Sequence, residues 1–322
     1  ILFFFTLLMG TTLSVSSSSW FGAWVGLELN LLSFIPLISS KSNQYSSESA
    51  LKYFLIQALG SSIIILSASL FTMSSASAGL FFTISLLLKA GAAPFHFWFP
   101  SVMEGLNWPQ AVILMTIQKI APMSLMSYAF HSCPSFLISS SIMLSALVGA
   151  IGGLNQTLLR KIMAYSSINH MAWMLSAILL SETTWMVYFL IYSLVSSSLA
   201  FLFFSHQSFH ISHIINHSSY SQTNKILTFI SLLSLGGLPP FTGFIAKWFI
   251  IQELAFNGML LTLLVLLSSA LVTLFYYLRI GMTSMMLSSP KSKWTKGNQL
   301  ITSLSTPLLL FINFVGILTP ST

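Results

Sequence analysis

Residues 86–98 read LLLKAGAAPFHFW. The opening leucines suit the middle of a bilayer, yet Lys89 interrupts them, and Gly91 and Pro94 follow within five residues. Proline has no N–H, so Pro94 leaves the carbonyl of Ala90 without its helical donor. A bare carbonyl is costly in hydrocarbon, and broken helices persist at that depth only where protein or a water-filled cavity meets them. A cation beside such a break points to a polar interior inside a membrane bundle.

The rest of the chain agrees. Of 322 residues, 55% are hydrophobic and 5% charged, where a soluble domain carries roughly 25% charged residues. A spanning helix needs about 20 mostly apolar residues. Candidate spans fall at 1–18, 20–39, 49–73, 79–100, 108–131, 136–154, 162–180, 184–205, 224–254, 258–283 and 300–318. The expected fold is therefore an all-α polytopic membrane protein of about eleven transmembrane helices, a single transmembrane domain over 1–322. Loops are short and rich in Ser, Asn, Gly and Pro, and no cleavable targeting segment is evident.

Several function classes are excluded. No basic block alternates with polar aromatics, so nucleic acid is not an expected partner. Cys133 is the one cysteine, too few for an internal disulfide, an iron–sulfur cluster or a structural zinc site. No Gly-rich dinucleotide fingerprint or P-loop occurs. Any redox cofactor must come from other chains.

Eleven spans put the termini on opposite sides. If the N-terminus lies on side A, then Lys41, Lys52, Arg160, Lys161, Lys225, Arg279, Lys291, Lys293 and Lys296 all fall at or near side A, while Glu182 and Glu253 lie at side B. This positive-inside pattern turns side A toward the cytoplasm or mitochondrial matrix.

Lys89, Lys119, Lys247 and Glu28 are left inside spans, with His170 about 15 Å deep at 1.5 Å per residue from Arg160. A lysine at mid-bilayer costs about 3 kcal/mol on insertion scales, so its charge depends on its neighbours. One such lysine could pair with backbone carbonyls or snorkel, and a lone His could be an interhelical hydrogen-bond partner. Three lysines, an acid and a histidine at similar depth point instead to a proton relay.

GAAPF (91–95) and GLPPF (237–241) share Gly-x-x-Pro-Phe and lie five spans apart. An odd shift reverses direction through the membrane, as two inverted five-helix repeats would, each with one broken helix: 1–131 and 136–283, followed by 284–322. Paired Gly/Pro-interrupted segments point to ion sites in transporters.

WVGLELNLLSFIP (24–36), LKYFLIQ (51–57), KAGAAPFHFWFP (89–100), IQKIAP (117–122), GGLNQTLLRKIMAYSSINHMAW (152–173) and LSLGGLPPFTGFIAKW (233–248) closely resemble the NADH-ubiquinone oxidoreductase chain 2 family of mitochondrial complex I. AAPFHFWFP is worded as in invertebrate members. The resemblance implies an antiporter-like, proton-translocating subunit of eleven helices in the mitochondrial inner membrane, with its N-terminus on the matrix side. It implies Glu28 and Lys89 as a Glu/Lys pair, Lys119 as the central lysine, His170 as the histidine between, and Lys247 as the terminal lysine. It also implies FMN and iron–sulfur clusters in other subunits and none here, and chains 4 and 4L and supernumerary subunits as neighbours. A free-standing secondary cation/proton antiporter is the alternative reading.

Weaker features remain. His206, His210, His213 and His217 recur at spacings that would share one helical face and could bind zinc, but nothing supplies a carboxylate and no metal is expected. His96 could line a proton path from side A, with Glu104 at its entrance. Trp20, Trp98, Trp108 and Trp185 read as interface anchors. Lys291, Lys293 and Lys296 could attract anionic lipid such as cardiolipin.

Overall fold

The structure, a computed structural model, describes residues 1–39, 43–71, 75–129, 134–216, 222–286, 310 and 313. The expected span at 300–318 apart from residues 310 and 313, together with Lys41, Cys133, His217 and the lysines at 291, 293 and 296, lies outside the described residues.

Fourteen helices occur among the described residues: α1 (Leu2–Ser16), α2 (Trp20–Ile38), α3 (Gln44–Leu70), α4 (Ser75–Ala90), α5 (Trp98–Gly105), α6 (Trp108–Met115), α7 (Ile117–Tyr128), α8 (Ser135–Leu154), α9 (Leu159–Leu180), α10 (Glu182–Ser205), α11 (Ile211–Asn216), α12 (Gln222–Gly236), α13 (Thr242–Phe256) and α14 (Leu260–Met286). Among the described residues, six units are long and apolar enough to cross a membrane: α2, α3, α6 with α7, α8, α10 and α14. The remaining expected spans are shorter, split or more polar. The fourth is α4 and α5 on either side of a break, the ninth is α12 and α13, and the fifth turns at Thr116 between α6 and α7.

The bundle is apolar outside, and its largely apolar interior encloses polar groups. Exposed side chains include Leu55, Leu144, Leu190, Leu264 and Leu271. Lys89, Lys119, Lys247, Asn30, Gln57 and Asn169 are buried. Interior serines close hydrogen bonds on their own helices, as Ser67 does on the Ile64 carbonyl (2.7 Å) and Ser176 on that of Trp173 (2.8 Å), so they enter the core without orphaned hydroxyls. The central helix is α9. Its buried residues run from Leu159 to Ile178 on every face, as expected of a helix enclosed by others, and α5, α8, α10, α13 and α14 pack around it.

Contacts between loops bring several helix ends together. Lys161 pairs with Glu104 at 2.8 Å, Trp108 Nε1 donates to the Ser208 carbonyl (3.0 Å), and Leu159 N donates to the Phe209 carbonyl (3.0 Å). Gln110 reaches the carbonyl of Leu37. All these segments are assigned to side A by the alternation of spans.

Candidate functional site

The two helix breaks share one local backbone. Gly91 has φ +73° and Gly237 φ +78°, a left-handed conformation that favours glycine. Gly91 N donates to the Leu88 carbonyl and Ala92 N to that of Leu87 (3.2 and 3.1 Å); Gly237 N donates to Ser234 and Leu238 N to Leu233 (3.1 and 3.4 Å). These are Schellman-type ends that close α4 and α12 alike.

Side chains satisfy carbonyls near both breaks. Trp98 Nε1 donates to Leu88 O (3.0 Å) and Gln57 Nε2 to Lys89 O (3.3 Å). At the second break, Pro240 removes the donor that the Gly236 carbonyl would have had, and Lys247 Nζ takes its place at 2.8 Å. The expectation of Lys247 near the middle of one span is thus refined. It stands on α13 beyond the break and reaches back to the end of α12.

Lys89 and Lys119 line one small cavity of about 10 Å³, room for about one water, with Tyr53, Gln57 and Gln118. The Tyr53 hydroxyl donates to Gln118 Oε1 (3.1 Å), and Gln118 Nε2 donates to Asn30 Oδ1 (2.8 Å). Lys119, 2% exposed, donates from Nζ to the Ser167 carbonyl (3.3 Å) and lies 5.1 and 5.3 Å from the ring centres of Phe99 and Tyr192. Its partners are thus a carbonyl and two π faces, with no carboxylate among its ion pairs.

A second small cavity, also of about 10 Å³, is lined by His170, Tyr188, Tyr192 and the residues around the second break, Ser234 and Gly243 among them. His170 Nδ1 lies 2.7 Å from the Tyr188 hydroxyl, and its ring is 4.9 Å from that of Tyr192. Tyr188 stacks on Trp173, and Lys247 Nζ sits 5.7 Å from the centre of a Trp173 ring. Lys119 and Lys247 both act electrostatically on His170. Tyr192 therefore joins the two cavities, touching Lys119 on one side and His170 on the other.

The other predicted residues are placed less directly. Glu28 is half-buried on the flank of α2 and acts on Lys89 through space. The two side-chain ion pairs among the described residues, Lys52–Glu48 and Lys161–Glu104, do not include it. His96 is buried in the first break, with Nδ1 unpartnered and its ring beside Phe97. His206, His210 and His213 do not form one helical face. A turn ends α10 at His206, and His210 pairs by a β-bridge with Leu158 before α11 begins. No group of side chains suited to a metal ion occurs among the described residues.

Sequence reasoning missed Tyr53, Gln57, Gln118, Tyr188 and Tyr192 as site residues. Tyr53 with Gln57, and Tyr188 with Tyr192, are four residues apart, a spacing that puts each pair on one helical face. That periodicity was the available signal.

Comparison with known proteins decides the family. A family profile described as "NADH:quinone oxidoreductase/Mrp antiporter, TM" matches residues 17–273. NADH-ubiquinone oxidoreductase chain 2 of Anopheles gambiae is 47% identical over 98% of this chain and 94% of its own length. The chain belongs to that family. The protein of the same name from Locusta migratoria is 41% identical over 100% of this chain and 96% of its own. The fold also matches a chain of respiratory complex I from Thermus thermophilus with a TM-score of 0.85 and 24% identity, covering 97% of this chain and 76% of that one. The chain is accordingly an antiporter-like membrane subunit of the enzyme complex, and Lys89, Lys119, His170 and Lys247 lie inside the region matched by the profile.

Proposed function

We propose that this subunit carries protons for NADH:ubiquinone oxidoreductase through a relay at half-membrane depth, running Glu28, Lys89, Lys119, His170 and Lys247, with His96 on a branch toward side A. One observation carries the reading: the lysines line or flank two small cavities that hold polar groups in an apolar interior, and Tyr192 lies against both Lys119 and His170.

The physical step is electrostatic. A change of charge beside Glu28, on the outer flank of α2, alters its hold on Lys89. Lys89 and Lys119 share a cavity, so a proton leaving one lowers the cost of positive charge on the other. Lys119 has soft partners, and moving its proton toward His170 leaves no carboxylate stranded. Lys247 ends the line, held on a carbonyl that the proline break frees. This chain contributes binding and movement of protons. The electrons pass elsewhere in the complex, through FMN and iron–sulfur clusters held by other subunits.

The same reading places the chain in the mitochondrial inner membrane with side A facing the matrix, next to chains 4 and 4L and supernumerary subunits, with lipids such as cardiolipin around it. The matched backbone of the two breaks supports inverted repeats over 1–131 and 136–283 within a bundle of eleven spans. The test is a native gel of membranes solubilised in mild detergent, stained for NADH oxidation and probed for this chain. The chain is expected in the large NADH-oxidising band. A small species away from that activity would replace this reading with a free-standing cation/proton antiporter.

A further inference from the structure

Lys119 stands on a stretch of backbone that the helix ladder holds incompletely. The dihedrals at Thr116 (φ −113°, ψ −80°) break α6 from α7. Pro122 lies inside α7 and has no N–H, so the Gln118 carbonyl loses its helical donor. Each residue turns a helix by about 100°, since 3.6 residues make one turn. A partial rotation of α7 at this joint would swing Lys119 Nζ off the Ser167 carbonyl, which it reaches at 3.3 Å. Something besides the ladder must set the direction of Lys119.

The residue before it does so. Gln118 uses both ends of its amide: Oε1 accepts from the Tyr53 hydroxyl (3.1 Å), and Nε2 donates to Asn30 Oδ1 (2.8 Å). The two partners come from different helices, α3 and α2, and both are buried. Each is itself held. The Tyr53 ring meets Phe34 at 5.1 Å and Trp98 at 6.0 Å, both edge to face. A Cβ at Gly10 would lie 2.8 Å from Asn30 N, so α1 closes directly on that point of α2. An apolar side chain of similar length would fill this space without burying an amide and its partners. The amide is thus a clamp between two fixed points, one residue from Lys119.

The second half of the chain carries a looser version. Asn30 and Gln118 lie in the second and fifth expected spans, and Asn169 and Ser269 lie in the seventh and tenth. Asn169 Nδ2 donates to the Ser269 carbonyl at 3.4 Å, and the Ser269 hydroxyl donates to Asn169 Oδ1 at 3.5 Å. A Cβ at Gly149 would lie 2.6 Å from Asn169 N, the counterpart of Gly10 on Asn30. Here too the next residue in the chain, His170, belongs to the relay.

We propose that Gln118 is a positioning residue for Lys119, clamping α7 through Tyr53 and Asn30 so that the ammonium stays on the Ser167 carbonyl beside the Phe99 and Tyr192 rings. It rests on the relay reading above, because the clamp matters to activity only if Lys119 carries protons. Gln118 itself passes no proton. With the clamp open, Lys119 leaves its place between the Lys89 cavity and Tyr192.

The test uses the assembled complex in membrane vesicles, carrying Gln118→Met, Tyr53→Phe, Lys119→Met, or Gln118→Met together with Lys119→Met. Methionine keeps the length of glutamine and removes both hydrogen bonds. Coupled NADH turnover is expressed per assembled complex, with the amount of complex read from a native gel. Misplacing a reacting group by about 1 Å can cost about a hundredfold, so Gln118→Met is expected to lower turnover per complex about tenfold, at an unchanged KM for ubiquinone. Tyr53→Phe opens one end of the clamp and should lower it less. A purely structural role would reduce the amount of complex and leave its turnover native. In the Lys119→Met background, Gln118→Met should slow turnover no further. The same fold-loss in that background would mean that Gln118 acts apart from Lys119, and would overturn the proposal. Native turnover per complex in both Gln118→Met and Tyr53→Phe overturns it too. If Lys119→Met is impaired while they are native, only the positioning role falls; if Lys119→Met is also native, the relay reading falls with it. Should Gln118→Met fail to assemble, Tyr53→Phe, alone and with Lys119→Met, decides by the same readouts.

Discussion

Replacing Lys119 by methionine separates stability from function. The charged lysine is held by one carbonyl at 3.3 Å and two aromatic faces at 5.1 and 5.3 Å. A hydrogen bond from a charged group contributes about 1.5–3 kcal/mol, and a cation–π contact about 0.5–2 kcal/mol. Against this stands the cost of lysine at mid-bilayer, about 3 kcal/mol on insertion scales. At the lower ends of these ranges, suited to a 3.3 Å bond and ring distances above 5 Å, the contacts total about 2.5 kcal/mol and nearly offset that cost. Methionine has a similar length and no charge, so Lys119→Met should change stability by no more than about 2 kcal/mol, within the range of a tolerated core substitution. A proton carrier, however, has been removed, and the coupled rate should fall by about a hundredfold, the low end for a general acid–base group. Native-gel assembly and thermal unfolding of the solubilised complex read the first effect, and NADH-driven proton transport in vesicles reads the second. Assembly lost together with activity would show that Lys119 is structural and refute the reasoning.

Three further outcomes follow from the geometry. Gly237→Ala would put a Cβ 2.9 Å from Lys247 Cδ and 3.1 Å from Nζ at φ +78°. The left-handed backbone alone costs about 1–2 kcal/mol, and displacement of Lys247 should lower proton transport in assembled complex more than NADH oxidation by an artificial acceptor. Tyr188→Phe removes the 2.7 Å partner of His170 Nδ1; it should slow coupled transport severalfold while leaving the amount of assembled complex unchanged on a native gel, and a normal rate would take Tyr188 out of the path. Glu104→Gln breaks a part-exposed ion pair of a kind contributing about 0–1 kcal/mol, so thermal unfolding should barely move; a large drop would mean that the side-A ends depend on this pair.

Parts of this arrangement are legible in the chain and parts are not. The breaks can be read because glycine and proline act locally: Gly91 and Gly237 supply the left-handed turn, and Pro94, Pro239 and Pro240 cannot continue a ladder. The buried lysines stand out because charge at that depth is costly. The turn at Thr116 is less legible. Pro122 sits inside α7 and unseats the Gln118 carbonyl, but the distortion appears further back, where Lys119 N donates to the Thr116 carbonyl at 3.0 Å in a tighter turn. It aims Lys119 at Ser167, a contact between distant segments that local propensity cannot express. The roles of Tyr188 and Tyr192 are hidden for a similar reason, since a buried tyrosine on a membrane helix reads as packing until the helices beside it are known. The histidine spacing carries no shared face, because periodicity assumes a continuous helix and the chain turns at His206.

The central claim is that charge moves along buried lysines in this subunit, and the most direct measurement is the number of protons translocated per NADH oxidised by vesicles carrying Lys89→Met. The account predicts that the assembled variant either turns over far more slowly or keeps turning over with fewer protons per NADH. Native turnover with the native number of protons would contradict it.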